Sequence, residues 1–439
     1  MSPSSAIRQI VAGASLALVV ASCQSNSSEQ KVASAPAAAA DANANYLQDG
    51  TWRGVLSAQG QEIPFLFDVE TGNNNQPVAV YLRNGAEKLK LDEIAAAGDS
   101  TTIKLGAFDA ALVVRKDGED KLKGAWVKYD AKTPYRVPFT ATHGEKELFP
   151  VQAKPSSDSK ETMKESTFQV EFKDEEGKTY PAVGIFKESP ETGNMTGTFL
   201  TTTGDYRYLA GRSVGNLLRL STFDGSHGFL FTATKGPNGT MKGDFYSGKS
   251  GHETWTAKLN PNAKLPDANS LTFMKPGEKK LAFKFPSIHE GGSVSLSDPK
   301  YKGKVVVVQL LGSWCPNCMD ETNFLAPWYE KNKSRGVEII GLGYERSPEY
   351  AKAAERLRKM KDRFGVNYDL AVAGVADKDA AGKTLPQIAK VLAFPTTIII
   401  DKKGDVRKIN TGFSGPGTGK YYDELVADFN QTIDQLVKE

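Results

Sequence analysis

The chain has 439 residues, 39 % of them apolar and 24 % charged, the ordinary composition of a globular protein long enough for two or three domains. Its 55 basic and 52 acidic residues leave a net charge of +3. With no basic cluster or aromatic-basic stripe, that balance excludes nucleic acid as a partner, and three cysteines exclude a disulfide-built scaffold.

In chain order, Met1 to Gln9 carries Arg8, and Ile10 to Val20 is an apolar run of signal-peptide length, too short to span a bilayer comfortably. Val20-Ala21-Ser22-Cys23 resembles the lipobox of bacterial lipoproteins. That resemblance implies that residues 1–22 are removed and that Cys23 is acylated; an ordinary secretory signal with a coincidental cysteine is the alternative. Residues 23–45, rich in Ser, Ala and Asn, bury too little surface to fold and read as a flexible tether. If Cys23 is lipidated, Cys315 and Cys318 are the only titratable thiols of an exported protein, and such a lone pair reads as working chemistry.

Residues 46 to about 270 read as all-β. Short runs rich in Val, Thr, Phe and Tyr alternate with turn signals such as Asn84-Gly85, Asp117-Gly118, Asp224-Gly225 and Asn238-Gly239. Only Leu91 to Ala97 hints at a helical period. An internal echo links Phe108-Asp109 and Lys121-Leu122-Lys123-Gly124-Ala125-Trp126 to Phe223-Asp224 and Thr240-Met241-Lys242-Gly243-Asp244-Phe245. Two duplicated β-units, 46–150 and 165–264, joined by the polar link 154–164, account for it. Chance likeness between hairpin-rich sequences accounts for it equally.

Leu265 to Gly277, with Pro266 and Pro276, marks the next boundary, and the texture then changes to alternating strand and helix over 278–439. Val305 to Leu311 reads as a strand buried on both faces. A helix from Cys315 to Glu330 follows, bent by Pro327. The spacing then predicts a strand at Val337–Leu342, a helix from Pro348 to about Phe364 with the proline in its first turn, and a strand near Tyr368–Val372. A helix around Gln387–Leu392, strands at Thr396–Ile400 and Val406–Asn410, and a terminal helix Tyr421–Lys438 complete one α/β domain.

Within that domain, Trp314-Cys315-Pro316-Asn317-Cys318 lies between a strand and a helix. A cysteine at a helix N-terminus meets unpaired N–H groups and the positive end of the dipole, which favour the thiolate. A second cysteine three residues on lies on the same face and can close a disulfide with it. Half of a zinc site is the competing reading, but no other cysteine is at hand and the four histidines, at 143, 227, 252 and 289, are scattered, so no metal is expected and no cofactor is called for.

The Trp-Cys-x-x-Cys turn, the later Phe394-Pro395-Thr396-Thr397 and the Lys302-Gly303-Lys304 entry to the first core strand resemble the thioredoxin superfamily, and most closely its TlpA/ResA-like thiol-disulfide oxidoreductases. The likeness covers about residues 281–439. The fold class is therefore an α+β multidomain chain: an all-β front half and a thioredoxin-like C-terminal domain. The resemblance implies that Cys315 is the nucleophile and Cys318 the resolving thiol, and that Pro395 is a cis-proline facing them. It likewise implies that Trp314, Pro316 and Phe394 border the substrate, a purely structural role being the stronger reading for Trp314, and that Pro316 and Asn317 occupy the positions that set the redox poise. Gln309 stands six residues before Cys315, where many thioredoxins carry a buried acid. Glu345 is the nearest match to a family glutamate placed to assist Cys318, with an exposed loop position as its other reading.

The leading expectation is a lipid-anchored reductase, or else an isomerase, of protein disulfides in the bacterial cell envelope, periplasm-facing. The family likeness favours reduction, with electrons from a membrane thiol donor, while the residues themselves do not fix direction. A peroxiredoxin-like peroxidase shares the fold, but residues 308 to 315, Val-Gln-Leu-Leu-Gly-Ser-Trp-Cys, lack the Pro and Thr of the Pro-x-x-x-Thr-x-x-Cys loop. A β-domain that binds a partner, with the redox domain auxiliary, is the reading from a different class.

Overall fold

A computed structural model describes residues 46–73, 75–131, 133–150 and 164–439. The expected signal peptide, the tether with Cys23 and the link at 154–163 lie outside them.

The front half consists of two nine-stranded antiparallel meanders. The first runs through β1 (Gly50–Ala58), β2 (Gln61–Thr71), β3 (Pro77–Asn84), β4 (Glu87–Leu91), β5 (Ile94–Ala97), β6 (Ser100–Lys104), β7 (Ala110–Lys116), β8 (Lys121–Lys128) and β9 (Tyr135–His143). Its first and last strands pair, which curls the sheet into a barrel-like form interrupted only between β4 and β5. The segment Leu91–Ala97, where a helical period was the expectation, is the end of β4 and all of β5. Four residues are too few to sustain a helix, whereas Ile94 to Ala97 find partners along β6.

The second meander comprises β10 (Lys164–Lys173), β11 (Thr179–Glu188), β12 (Asn194–Thr201), β13 (Gly204–Asp205), β14 (Leu209–Val214), β15 (Leu217–Phe223), β16 (Gly228–Lys235), β17 (Thr240–Ser247) and β18 (Gly251–Leu259). Here β10 pairs with β18 and β11 with β12, so eight strands close completely and the two-residue β13 hangs beside β12. Burial alternates along β10, as it must for a strand with one face inside a barrel. The interior is filled by aromatic rings: Phe172, Phe199, Phe231, Phe245 and Trp255 are all buried, and Phe231 stacks on Phe245 with centroids 4.3 Å apart.

The internal echo falls on the same strand of each meander, β8 and β17. A Cβ on Gly124 would collide with the carbonyl oxygen of Val113 on β7, and one on Gly243 with that of Thr232 on β16. The two β units also share a core. Phe223 and Leu230 of the second pack among Phe65 and Phe139 of the first, with Phe65 and Phe223 at 4.5 Å. Asn84 exchanges two hydrogen bonds with the Phe223 backbone, at 3.0 and 3.1 Å.

The C-terminal domain opens with a short hairpin, β19 (Lys284–Pro286) and β20 (Ser293–Ser295). Its central sheet has the order β23 (Asp369–Val375), β22 (Val337–Glu345), β21 (Val305–Leu311), β24 (Thr396–Ile400), β25 (Val406–Thr411). The first three strands are parallel and the last two antiparallel. β21 is buried at every residue, as its unbroken apolar run predicts. The helices are α1 (Pro316–Asn332), α2 (Tyr350–Phe364), α3 (Lys378–Thr384) and α4 (Lys420–Lys438).

Two expectations fail in this domain. Pro348 precedes α2 and its cap Glu349 instead of sitting in the first turn. The helix expected at Gln387–Leu392 does not form; α3 lies earlier, where the Asp377 carboxylate caps it through the Ala380 N–H and Pro386 forbids its continuation. Ile388 instead bridges to Met274, and the Gln387 carbonyl accepts from Lys275 N–H.

Candidate active site

The apolar strand β21 ends at a tight turn, Gly312-Ser313-Trp314, that delivers Cys315 to the N-terminus of α1. Cys315 is the N-cap, with extended backbone, and Pro316 takes the first helical position, where a missing N–H costs nothing. The Cys315 Sγ accepts the Cys318 N–H at 3.3 Å. As a thiol it also donates to the Phe394 carbonyl at 3.4 Å. The Phe394–Pro395 peptide is cis, as the resemblance implied. Strand β24 follows at once, which places this carbonyl opposite the dithiol. Both cysteines are free thiols.

The two sulfurs differ in environment. Cys318 is fully buried, and burial pushes its thiol well up, with the neighbouring Cys315 and the Glu321 charge adding to the effect. Cys315 is 6 % exposed, so even the outer sulfur of the pair is covered.

The buried acid that sequence reasoning missed is Glu321. It stands one helical turn beyond Cys318, fully buried, and burial pushes its carboxyl up to about 7 against the opposing hydrogen bonds from Thr397 and Gln309. Thr397 Oγ1 donates to one carboxylate oxygen, and Gln309 Nε2 to the other at 2.8 Å. The strand position at 309 thus carries an amide, and that amide holds an acid on the facing helix. The signal in the sequence is the spacing: Glu321 lies three residues after Cys318 and shares its helix face.

Glu345 ends β22, buried, with its carboxyl raised by burial and lowered by Ser313. It accepts from Ser313 N–H at 2.8 Å and from Ser313 Oγ at 2.7 Å. The structure therefore places it as a brace for the turn two residues before Cys315, with its hydrogen bonds to Ser313 rather than to a thiol. Trp314 is held by its Nε1, which donates to the Tyr344 carbonyl at 2.8 Å, and by an edge contact with Phe394. A Cβ at Gly312 would collide with the Trp314 indole nitrogen, so the threonine of a peroxiredoxin loop has no room at that position.

Pro316 and Asn317 meet the second β unit. Asn317 Nδ2 donates to the Asp205 carbonyl at 3.2 Å, and both residues line a cavity shared with Asp205, Arg207, Asp224 and His227.

The family model for Redoxin matches residues 264–425. Thiol-disulfide oxidoreductase ResA of Halalkalibacterium halodurans is 29 % identical over 139 residues, which is 31 % of this chain and 69 % of that protein. ResA of Bacillus subtilis is 33 % identical over 122 residues, 28 % of this chain and 60 % of that protein. Among solved structures, a secreted thiol-disulfide isomerase from Corynebacterium glutamicum is 19 % identical, covering 40 % of this chain and 97 % of its own, with a TM-score of 0.30.

Proposed function

We propose that this chain, a thiol-disulfide oxidoreductase of the thioredoxin superfamily through its redoxin domain, reduces protein disulfides in the bacterial cell envelope. One observation carries the reading. A helix-capping thiol, held between the Cys318 N–H and the Phe394 carbonyl, stands over a second thiol that is fully buried.

The Cys315 thiolate attacks one sulfur of a substrate disulfide. A Cys315–substrate bond forms, and the other substrate sulfur leaves as a thiolate that takes up a proton. Cys318 then loses its proton to the buried Glu321 carboxylate and attacks Cys315, releasing the second substrate thiol. The resulting Cys315–Cys318 disulfide is returned to the dithiol by a membrane thiol donor, two electrons per cycle. Glu345 keeps the turn in place by holding Ser313. Acylation at Cys23 tethers the protein to the membrane, facing the periplasm; among the described residues no helix is long and apolar enough to cross a bilayer. The two β units are read as copies of one ancestral unit, supported by nine strands in each, pairing of first with last, and the matched glycines 124 and 243.

Removing the resolving thiol tests the mechanism. In cells, Cys318→Ser is expected to accumulate mixed disulfides on Cys315 that a small dithiol releases. A folded variant that captures no partner would falsify dithiol exchange. The anchor has its own test: Cys23→Ala is expected to move the protein from the washed membrane pellet to the soluble fraction, and retention in the pellet rejects acylation at that site.

A further inference from the structure

The face that a foreign disulfide must approach is occupied by the protein's own β units. The turn at β13 lies against the Pro316-Asn317 pair that separates the two cysteines. Its Asp205 carbonyl accepts from Asn317, between the two cysteines, and its carboxylate accepts the Gly415 N–H at 2.6 Å. A Cβ on Gly412, whose N–H donates to the Pro395 carbonyl, would meet the Thr203 and Gly204 backbone at 2.8 to 3.1 Å, so the two main chains already touch beside the cis-proline. From the turn between β15 and β16, Ser226 Oγ donates to the Trp314 carbonyl at 3.2 Å. Beside these contacts Cys315 is buried.

One side chain holds this face shut. Arg207, with a left-handed φ of 56°, is set by the Asp205 carboxylate, which accepts its N–H at 2.6 Å. Its guanidinium forks onto both carboxylate oxygens of Asp320 on α1, each at 2.7 Å, and onto Glu87 of β4 at 2.5 Å, with Asp224 at 3.7 Å. All four side chains are nearly solvent-free. One guanidinium thus joins the first β unit, the second β unit and the redox helix. Farther out, the Arg346–Asp130 pair at 2.8 Å and the Arg356–Asp109 pair tie the redox domain to the first β unit.

We propose that the two β units form a lid over the dithiol, latched by Arg207, and that protein disulfides react with Cys315 only when this lid swings off. Thiol–disulfide exchange needs the incoming S–S bond to reach the attacking sulfur, and in the closed arrangement Cys315 is buried. The shared core around Phe223 makes the two β units move as one body. Beside the dithiol their contacts are polar. The apolar contacts an opening must part are small, among them Ala107 against the redox core and the cluster of Val183, Ile185 and Leu200 with Tyr421. The lid makes the β units an intramolecular competitor for the substrate face, and its role as a gate rests on the dithiol-exchange reading above.

The test uses the reduced full-length protein and two readouts, labelling of Cys315 by a polyethylene-glycol maleimide and reduction of insulin. Arg207→Met leaves three carboxylates facing one another without a cation, and both rates are expected to rise roughly tenfold or more as the open population grows. Equal labelling rates in a folded variant overturn the lid. Faster labelling without insulin reduction keeps the lid and removes the exchange reading; unchanged labelling with active insulin reduction does the reverse. If Arg207→Met fails to fold, the double variant Asp109→Asn, Asp130→Asn, which cuts the ion pairs to Arg356 and Arg346, decides alone: faster labelling supports the lid and an unchanged rate overturns it.

Discussion

Cys315→Ser is expected to lower the reduction of insulin or of a model disulfide to the uncatalysed background, a loss on the order of a thousandfold or more, with little change in stability. The argument separates chemistry from folding. A serine oxygen can still accept the Cys318 N–H, and serine is among the best helix N-caps, so α1 keeps its start. What disappears is a sulfur anion. A serine hydroxyl has no accessible anion at neutral pH and does not displace a thiolate from a disulfide. Cys318 cannot stand in, because it is fully buried and burial holds its proton on. Insulin turbidity and a direct thiol assay on the same folded sample check the result. Turnover at the parent rate in the serine variant would rule out Cys315 as the nucleophile and with it the order of steps proposed above.

The redox half was legible because its signals are local. Val305 to Leu311 announces a doubly buried strand, the cysteine spacing announces a helix start, and Phe394-Pro395 stands where the resemblance put it. The β half was legible only as strands and turns. Closure of β10 onto β18, and of β11 onto β12, is a long-range choice that no short window carries. The missing helix at Gln387–Leu392 is a similar case. An apolar stretch of that length serves as well for a bridge to Met274, and Pro386 decides between them. The latch was invisible for a different reason. Asp320 beside Glu321 looks like the wet face of an amphipathic helix, yet Arg207, over a hundred positions earlier, covers one acid while Thr397 and Gln309 cover the other. Burial of a charge is a property of partners, and these partners come from three separate stretches of the chain.

Glu321→Gln is expected to make the folded protein more stable at pH 8, relative to the parent, than at pH 5, by about 3 kcal/mol. The parent glutamate holds its proton in the fold up to about 7, against an ordinary value of 4.5 in the unfolded chain. Between those values folding takes up a proton, so the contribution of this residue to stability is complete below pH 4.5 and is lost as the pH climbs through 7. Above that, the fold must keep a carboxylate anion out of water, with only Thr397 and Gln309 to compensate. A glutamine is neutral at every pH, and its amide oxygen still accepts from Thr397. Urea unfolding of both proteins in the reduced state, at pH 5 and pH 8, reads the difference directly. A second readout separates a proton acceptor from mere ballast: release of the mixed disulfide by Cys318 is expected to slow in the variant and to lose its dependence on pH near 7. Parallel stability curves across that range would show that Glu321 titrates as an ordinary exposed acid, and an unaltered release step would leave Cys318 without a buried base.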